Sequence, residues 1–374
     1  MSGTVSPQTA AMQAMQQNMT ARAQLLATGT RYNIQLAPVT TSSGGNFQIA
    51  LDRFGITTGI TIRATVTLDI TAAMTASLLA PFNALQNLTY TDFGGLQHTS
   101  QANGAILEIA NGVRKGRIPY ATSSPSNIAG LAQSSTLLQV PTAVASAATF
   151  QVSVEIPLAV HAESDLTGAV LSQTGQGTHY VSGSIFGNGV VGADPVAYPY
   201  TAGTATISNV VIQVEQHCIM PQTFTALPTI DLTTVYGFQT QIETDAFAVG
   251  LDHYSYWPNG RTILSALHLF DNGSTLNFGS DLSLIRKIAN TNTILEKWNP
   301  TDFLFAQRDK LYCDLFPGLY YFGNRRQPVV ISQIGQVASV FTPSSIGSAG
   351  VVQMTSQFEV QYPSGMPLPG LITG

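Results

Sequence analysis

From Ile60 to Ile70 the chain alternates without a break. Ile60, Ile62, Ala64, Val66, Leu68 and Ile70 are apolar, and Thr61, Arg63, Thr65, Thr67 and Asp69 between them are polar. A period of two places every apolar side chain on one face of a strand, whereas a helix would scatter the same residues around its surface. The pattern returns at Phe150, Val152, Val154, Ile156 and Leu158, set against Gln151, Ser153 and Glu155. It returns again at Val210, Ile212 and Val214, opposed by Gln213 and Glu215. Ile263, Ser265, Leu267 and Leu269 lead into Asp271-Asn272-Gly273, a strong short-range hairpin signal. Val329 with Ile331, and Met354 through Val360, supply later strands. So many strands, punctuated by 33 Gly and 19 Pro and not separated by regular helices, predict an all-β antiparallel sandwich or barrel.

Helix is predicted chiefly at the start. Ser6 is a reasonable N-cap, Pro7 suits the first helical position, and Gly29 sits where a glycine ends a helix. Met12, Met15, Met19 and Leu26 recur at heptad-like spacing, with Arg22 in the remaining seam position. This stripe is expected to pack on its own domain, with an adaptable surface for a partner or lipid as the sharper alternative. Leu282, Ile285, Ile288 and Ala289 predict a short helix, and Thr301-Asp302 starts another. A Pro/Thr-rich stretch from Pro221 to Pro228 marks a domain boundary in a chain long enough for about two cores.

Charge is scarce and unevenly spread. Only 9% of the 374 residues are charged, against roughly 25% in ordinary domains, while 44% are hydrophobic. Disorder is thereby excluded, because it needs low hydrophobicity with high net charge. With 15 Lys+Arg against 20 Asp+Glu, a basic nucleic-acid binder is excluded too. Between Arg117 and Arg261 there is no Lys or Arg, but there are nine acids. A surface so poor in charge is expected where much of it is covered by other subunits. No stretch reads as a membrane-spanning helix, and no secretory signal is read at the N-terminus. Cys218 and Cys313, far apart, read as reduced thiols rather than a disulfide framework.

Catalytic chemistry is hard to find. Gly187-Asn188-Gly189-Val190-Val191-Gly192 fits a dinucleotide fingerprint, but Pro195 and Pro199 follow where a helix would have to begin. His161, Glu163 and Asp165 alternate, yet a single cluster without a second His is a poor metal site. Tyr254, Tyr256 and Trp257, beside Asp252 and His253, could form a sugar-stacking platform. No catalytic residue, no metal ligand and no cofactor site is assigned, so the chain is read as not an enzyme.

Several stretches are similar to a known family. Ile156-Pro157-Leu158-Ala159 followed by Glu163-Ser164-Asp165-Leu166-Thr167-Gly168-Ala169-Val170-Leu171 resembles the P-L-A…E-T-D-L-T-G-A-V-L run of the major capsid protein of tectiviruses. Leu227 to Tyr236 and Phe270-Asp271-Asn272-Gly273 resemble it as well. Asp314 to Pro328, reading D-L-F-P-G-L-Y-Y-F-G-N-R-R-Q-P, looks like the family's D-F-P-x-G-x-Y-Y-x-x-N-R-x-x-P. Tyr90, Asp92, His98 and Thr99 match in the first half. These anchors keep the family's order over nearly the whole chain, and the loop between Leu171 and Thr204 departs most.

The resemblance implies a double jelly roll, two tandem eight-stranded β-sandwiches with an N-terminal helix and short helices in loops. It places a base helix or arm at 1–29, a first jelly roll at 30–226, and a second with a C-terminal arm at 227–374. It implies a homotrimeric, pseudo-hexagonal building block of an icosahedral bacteriophage shell, laid over an internal lipid membrane and double-stranded DNA. Its implied partners are further copies of itself, a vertex (penton) protein and the internal viral membrane, without sequence-specific contact to nucleic acid. The virion is the implied location, after synthesis in the bacterial host cytoplasm. Met12, Met15, Met19, Arg22 and Leu26 become membrane-facing candidates on the base helix. Asp165, Thr167, Gly168, Asp271, Asn272, Gly273, Asn324 and Arg325 become candidates for turns or intersubunit contacts. The alternative from the residues themselves is a lectin-like, host-binding β-sandwich spike.

Overall fold

The computed structural model describes residues 7–42, 44–77, 79–115, 140–173, 175–186, 191–192, 194, 196–220, 232, 234–245, 247, 249–271, 282–290, 293–311, 318–323, 328–344 and 352–363. Helix α1 (Pro7–Thr28) opens the chain, followed by strands β1 (Thr30–Gln35), β2 (Val39–Thr41), β3 (Asn46–Ala50) and the long β4 (Ile56–Ala76). Then come β5 (Leu85–Thr91), β6 (Gln97–Ala102), helix α2 (Gly104–Lys115), β7 (Ala145–Pro157), β8 (Val170–Leu171), β9 (Tyr180–Ile185) and β10 (Tyr200–Met220). The later chain forms β11 (Thr234–Asp245), β12 (His253–Tyr256), β13 (Thr262–Asp271), β14 (Leu282–Ala289), β15 (Thr293–Trp298) and helix α3 (Pro300–Leu311). It ends with β16 (Leu319–Gly323), β17 (Val329–Val330), the single turn α4 (Ile331–Ile334), β18 (Val337–Pro343) and β19 (Val352–Pro363).

The strands sort into three sheets. One is six-stranded, ordered β1-β10-β4-β7, with β2 on β10 and β8 on β4. Here the alternation read from the sequence becomes register: Ile62 lies between Val154 and Val214, and Ala64 between Val152 and Ile212. All six are buried, while the row Glu155, Thr61, Glu215 faces outward. The second sheet, nine-stranded, runs β16-β13-β19-β11-β6-β5-β9-β3 with β17 on β13. Its midpoint is a parallel pairing of Gln239 with Ser100, which joins strands from the earlier and later halves of the sequence. The third sheet is four-stranded, β12-β18-β14-β15.

Two main apolar clusters fill the spaces between sheets, and β13 serves both. Leu264, Leu267 and Leu269 join the large cluster containing Ile62, Val154 and the residues of α2. Ile263, Ala266 and Phe270 join the second, with Trp257, Ile285, Phe341 and Phe358. The strand read from Ile263 to Leu269 is present, and it is buried on both faces.

Three further expectations are corrected. Leu282 to Ala289 is a strand, not a helix, because an irregularity between Leu282 and Leu284 inserts a residue. That extra residue gives the three-residue step from Leu282 to Ile285, and the step from Ile285 to Ile288 crosses to the opposite face, so the two together mimic a helical spacing. Helix α2 went unread although Glu108, Asn111 and Lys115 recur at helical spacing on one face and Ile106, Ile109 and Val113 on the other. Ile331 begins α4 rather than continuing the strand at Val329. The helix expected at Thr301-Asp302 is present as α3. Asn299 caps it, its Oδ1 accepting from the Asp302 N–H at 2.8 Å.

Candidate interaction surfaces

Helix α1 packs on the rest of the chain near its C-terminal end. Leu25 is buried among Ile56, Ala159, Leu166, Ala169 and Ile219, with Leu26 packed alongside. The Arg22 guanidinium donates to Thr167 Oγ1 at 2.8 Å. Gly29 N–H donates to the Leu25 carbonyl at 2.7 Å, closing the helix against Ile219 where a side chain would collide. The N-terminal part stands clear. Met12, Met15 and Met19 are 72%, 66% and 61% exposed, so the expectation that the Met stripe packs on its own domain is overturned. The physical reason is extent: the receiving surface is the five buried residues around Leu25, which meet only the last two turns.

The helix docks on a turn that the sequence had singled out. His161 and Asp165 bond each other's backbones, and Asp165 Oδ1 accepts from the Thr167 N–H at 2.9 Å. His161, Glu163 and Asp165 are therefore parts of a tight turn rather than one face of a strand. Gly168 follows at φ +89°, a left-handed conformation natural to glycine, and an added Cβ would overlap Tyr236 of β11. One turn thus joins α1, the six-stranded sheet and β11. Asp271 is buried at the end of β13, opposite Gln353. Asn272, Gly273, Asn324 and Arg325 lie outside the described residues, as do the glycines at 187 and 189, Cys313, the 221–228 boundary and the tail beyond 363.

A second surface is the outward face of the four-stranded sheet. Register carries one row straight across it: Tyr256 beside Ala338, beside Ile288, beside Ile294. The next row is Tyr254, Val340, Arg286 and Lys297. The tyrosine rings lie nearly parallel, centroids 6.0 Å apart, and are 37% and 45% exposed. Arg286 pairs with Asp252, which also accepts from Thr342 Oγ1 at 2.7 Å. Burial raises the Asp252 carboxyl slightly, but Thr342 and Arg286 outweigh it and hold the group below its usual range. Trp257 belongs to the other side: it is buried and donates from Nε1 to Ser339 Oγ at 2.9 Å. The expected aromatic platform therefore has two members, not three, because strand alternation turns the third inward.

Polar groups in the interior are structural in their geometry. His268, fully buried, meets Ser356 Oγ at 2.8 Å through Nδ1 and Ser339 Oγ at 2.9 Å through Nε2. Burial pulls its pKa down to about 3, helped by the charge on nearby His253. Glu359 accepts from Tyr236 at 2.8 Å and from Ser265 at 2.7 Å. Asp92 Oδ1 accepts from the Gly94 and Leu96 N–H groups, and Oδ2 meets His98 Nε2 at 3.0 Å. Burial opposes ionisation of Asp92, yet His98 and those backbone donors hold its carboxyl below the ordinary value. Tyr90, Asp92 and His98 thus fasten one hairpin, with Tyr90 edge-on to His98 at 5.1 Å. Among the described residues no group of three His, Cys, Asp or Glu side chains gathers as metal ligands do.

Comparison with known proteins adds three findings. Residues 233–362 match the family model described as P3 major capsid protein C-terminal. The chain is 28% identical over 283 residues to major capsid protein P3 of Enterobacteria phage PRD1, covering 71% of this chain and 70% of that protein. Among solved structures it is similar to the major capsid protein of Sulfolobus Turreted Icosahedral Virus, with a TM-score of 0.66 at 12% identity over 90% of this chain and 97% of that one. It is similar also to major capsid protein P2 of Bacteriophage PM2, at TM-score 0.52 and 11% identity over 90% and 99% of the two chains. The fold is a double jelly roll.

Proposed function

Starting from its likeness to the major capsid protein of tectiviruses, we propose that this chain is the structural subunit of a viral shell. The observation that carries the reading is the sequence match to phage PRD1 protein P3 over most of the length, on a double jelly-roll fold. In this reading three copies form a pseudo-hexagonal trimer, and trimers tile an icosahedral shell over an internal lipid membrane enclosing double-stranded DNA. The chain is made in the bacterial host cytoplasm and works in the virion without catalysis. A vertex protein closes the five-fold positions. Residues 30–226 and 227–374 serve as the two jelly rolls, and residues 1–29 as the base.

Two features support it. The scarcity of charge suits a surface mostly covered by neighbours, since obligate interfaces run to roughly 2,000–5,000 Å². The exposed Met12, Met15 and Met19 suit a lipid-facing base, while Arg22, bonded to Thr167, ties that base to the wall. The turn built by Asp165, Thr167 and Gly168 anchors that base to the wall. The test is the solution mass of the purified full-length chain, followed by electron microscopy under assembly conditions. A stable trimer that closes into shells is the expected result. A monomer that forms no larger species, or one that hydrolyses a substrate, overturns the reading.

A further inference from the structure

The earlier and later halves of the chain meet at β6 and β11 and then part. Among the described residues these strands pair only at Ser100 and Gln239. At the next residue, Gln101, the backbone turns left-handed (φ +50°) and β6 leaves its neighbour. Asn87 of β5 is left-handed too (φ +53°), beside irregular pairing with β9. Such backbone is uncommon outside glycine and concentrates at binding sites. Both residues line a cavity of about 120 Å³ that opens where the strands diverge. That is room for several waters or one small ring.

Polar groups left over at this cavity call for an occupant. Thr355, on the cavity wall, is 1% exposed, and its hydroxyl has no hydrogen-bond partner. The Thr240 hydroxyl, on the neighbouring strand, has none either. Two residues along β19 and opposite Thr240, the buried Gln357 leaves both amide atoms unpaired. Buried groups of this kind have given up water and gained no bond in return. Asn87 donates its amide N–H to Ser184 Oγ at 3.0 Å and keeps its carbonyl free. Asp194 Oδ1 accepts from the Val196 and Ala197 N–H groups, which leaves Oδ2 free.

We propose that this cavity binds a neutral polyhydroxyl ligand the size of one sugar ring. Among the described residues lining it there is no Lys, Arg or His, so an anion finds no counter-charge. Asp194 is their one carboxylate, too little charge for a divalent cation that takes about six to eight oxygens. Val196 and Ile242 offer a small apolar wall to the C–H face of a ring. The amides of Gln101 and Gln353 can each donate to one hydroxyl and accept from the next. Rotation about χ1 turns the Thr240 and Thr355 hydroxyls onto the ligand. The site stands whether or not the chain builds a shell.

The test is isothermal titration calorimetry of the full chain with glucose, galactose and N-acetylglucosamine in turn. At least one is expected to bind with a Kd of about 1 mM, in keeping with so few atoms. Ile242→Arg, at the exposed rim, is expected to close the mouth and abolish binding with an unchanged melting curve. Thr355→Val is expected to weaken binding about tenfold without lowering the melting temperature, because the hydroxyl it deletes has no partner in the fold. Tyr256→Ala is expected to bind as the parent does. A parent that binds none of the three overturns the proposal, as does binding that Ile242→Arg and Thr355→Val both leave intact. Loss of binding in Tyr256→Ala moves the sugar to the tyrosine pair and overturns it too. None of these outcomes bears on the shell reading.

Discussion

At the scale of single residues, His268 makes the second sandwich sensitive to acid. Its neutral ring is pinned between Ser356 and Ser339, within reach of His253 and the Glu243 carboxylate that His253 bonds at 3.0 Å. With a folded pKa of about 3 against 6.5, the folded protein binds fewer protons than the unfolded chain between those values. Its stability contribution is thus complete above pH 6.5 and is lost as pH falls toward 3. The loss amounts to roughly 3–5 kcal/mol at the acid end. In His268→Gln, denaturant midpoints measured from pH 7 to pH 3.5 should fall less steeply than in the parent. Parallel slopes would assign the acid sensitivity elsewhere. None of this was legible in the sequence: His268 stands among leucines in a strand, and only the two serines brought by β18 and β19 give it a role. The Asp165-Leu166-Thr167-Gly168 turn was legible, because an aspartate two residues before an N–H donor and a glycine past it spell a turn locally.

Among the elements, the first helix has a divided character: its last two turns are bound to the wall, and the turns bearing Met12, Met15 and Met19 reach past it. Deleting residues 2–27 removes Leu25 and the Arg22–Thr167 bond, yet leaves both large clusters untouched. The deletion variant is expected to remain folded, with a melting temperature a few degrees lower, and to lose binding to anionic lipid vesicles in a flotation assay. Undiminished vesicle binding would strip the helix of its base role. Strands with one wet face, β4, β7 and β10, were readable because polarity records which side meets water. Strand β13 was read as well, from its apolar run into a turn, although its burial on both faces was not. Helix α2 was missed despite its amphipathic spacing. Strand β14 was misread because an inserted residue shifts its phase after Leu282 and because Ile285 and Ile288 are apolar on opposite faces.

For the molecule as a whole, the class of fold followed from alternation, but the arrangement did not. Nothing local announces that Gln239 pairs with Ser100, nor that Tyr236 fits against Gly168, some seventy residues earlier. Those long-range meetings turn two sandwiches into one object. Strand β13 is where this matters most, since alternate side chains enter different clusters. It is a party wall, finished on both sides and belonging to both rooms. Because the two rooms share that wall, neither can be remodelled without disturbing the other.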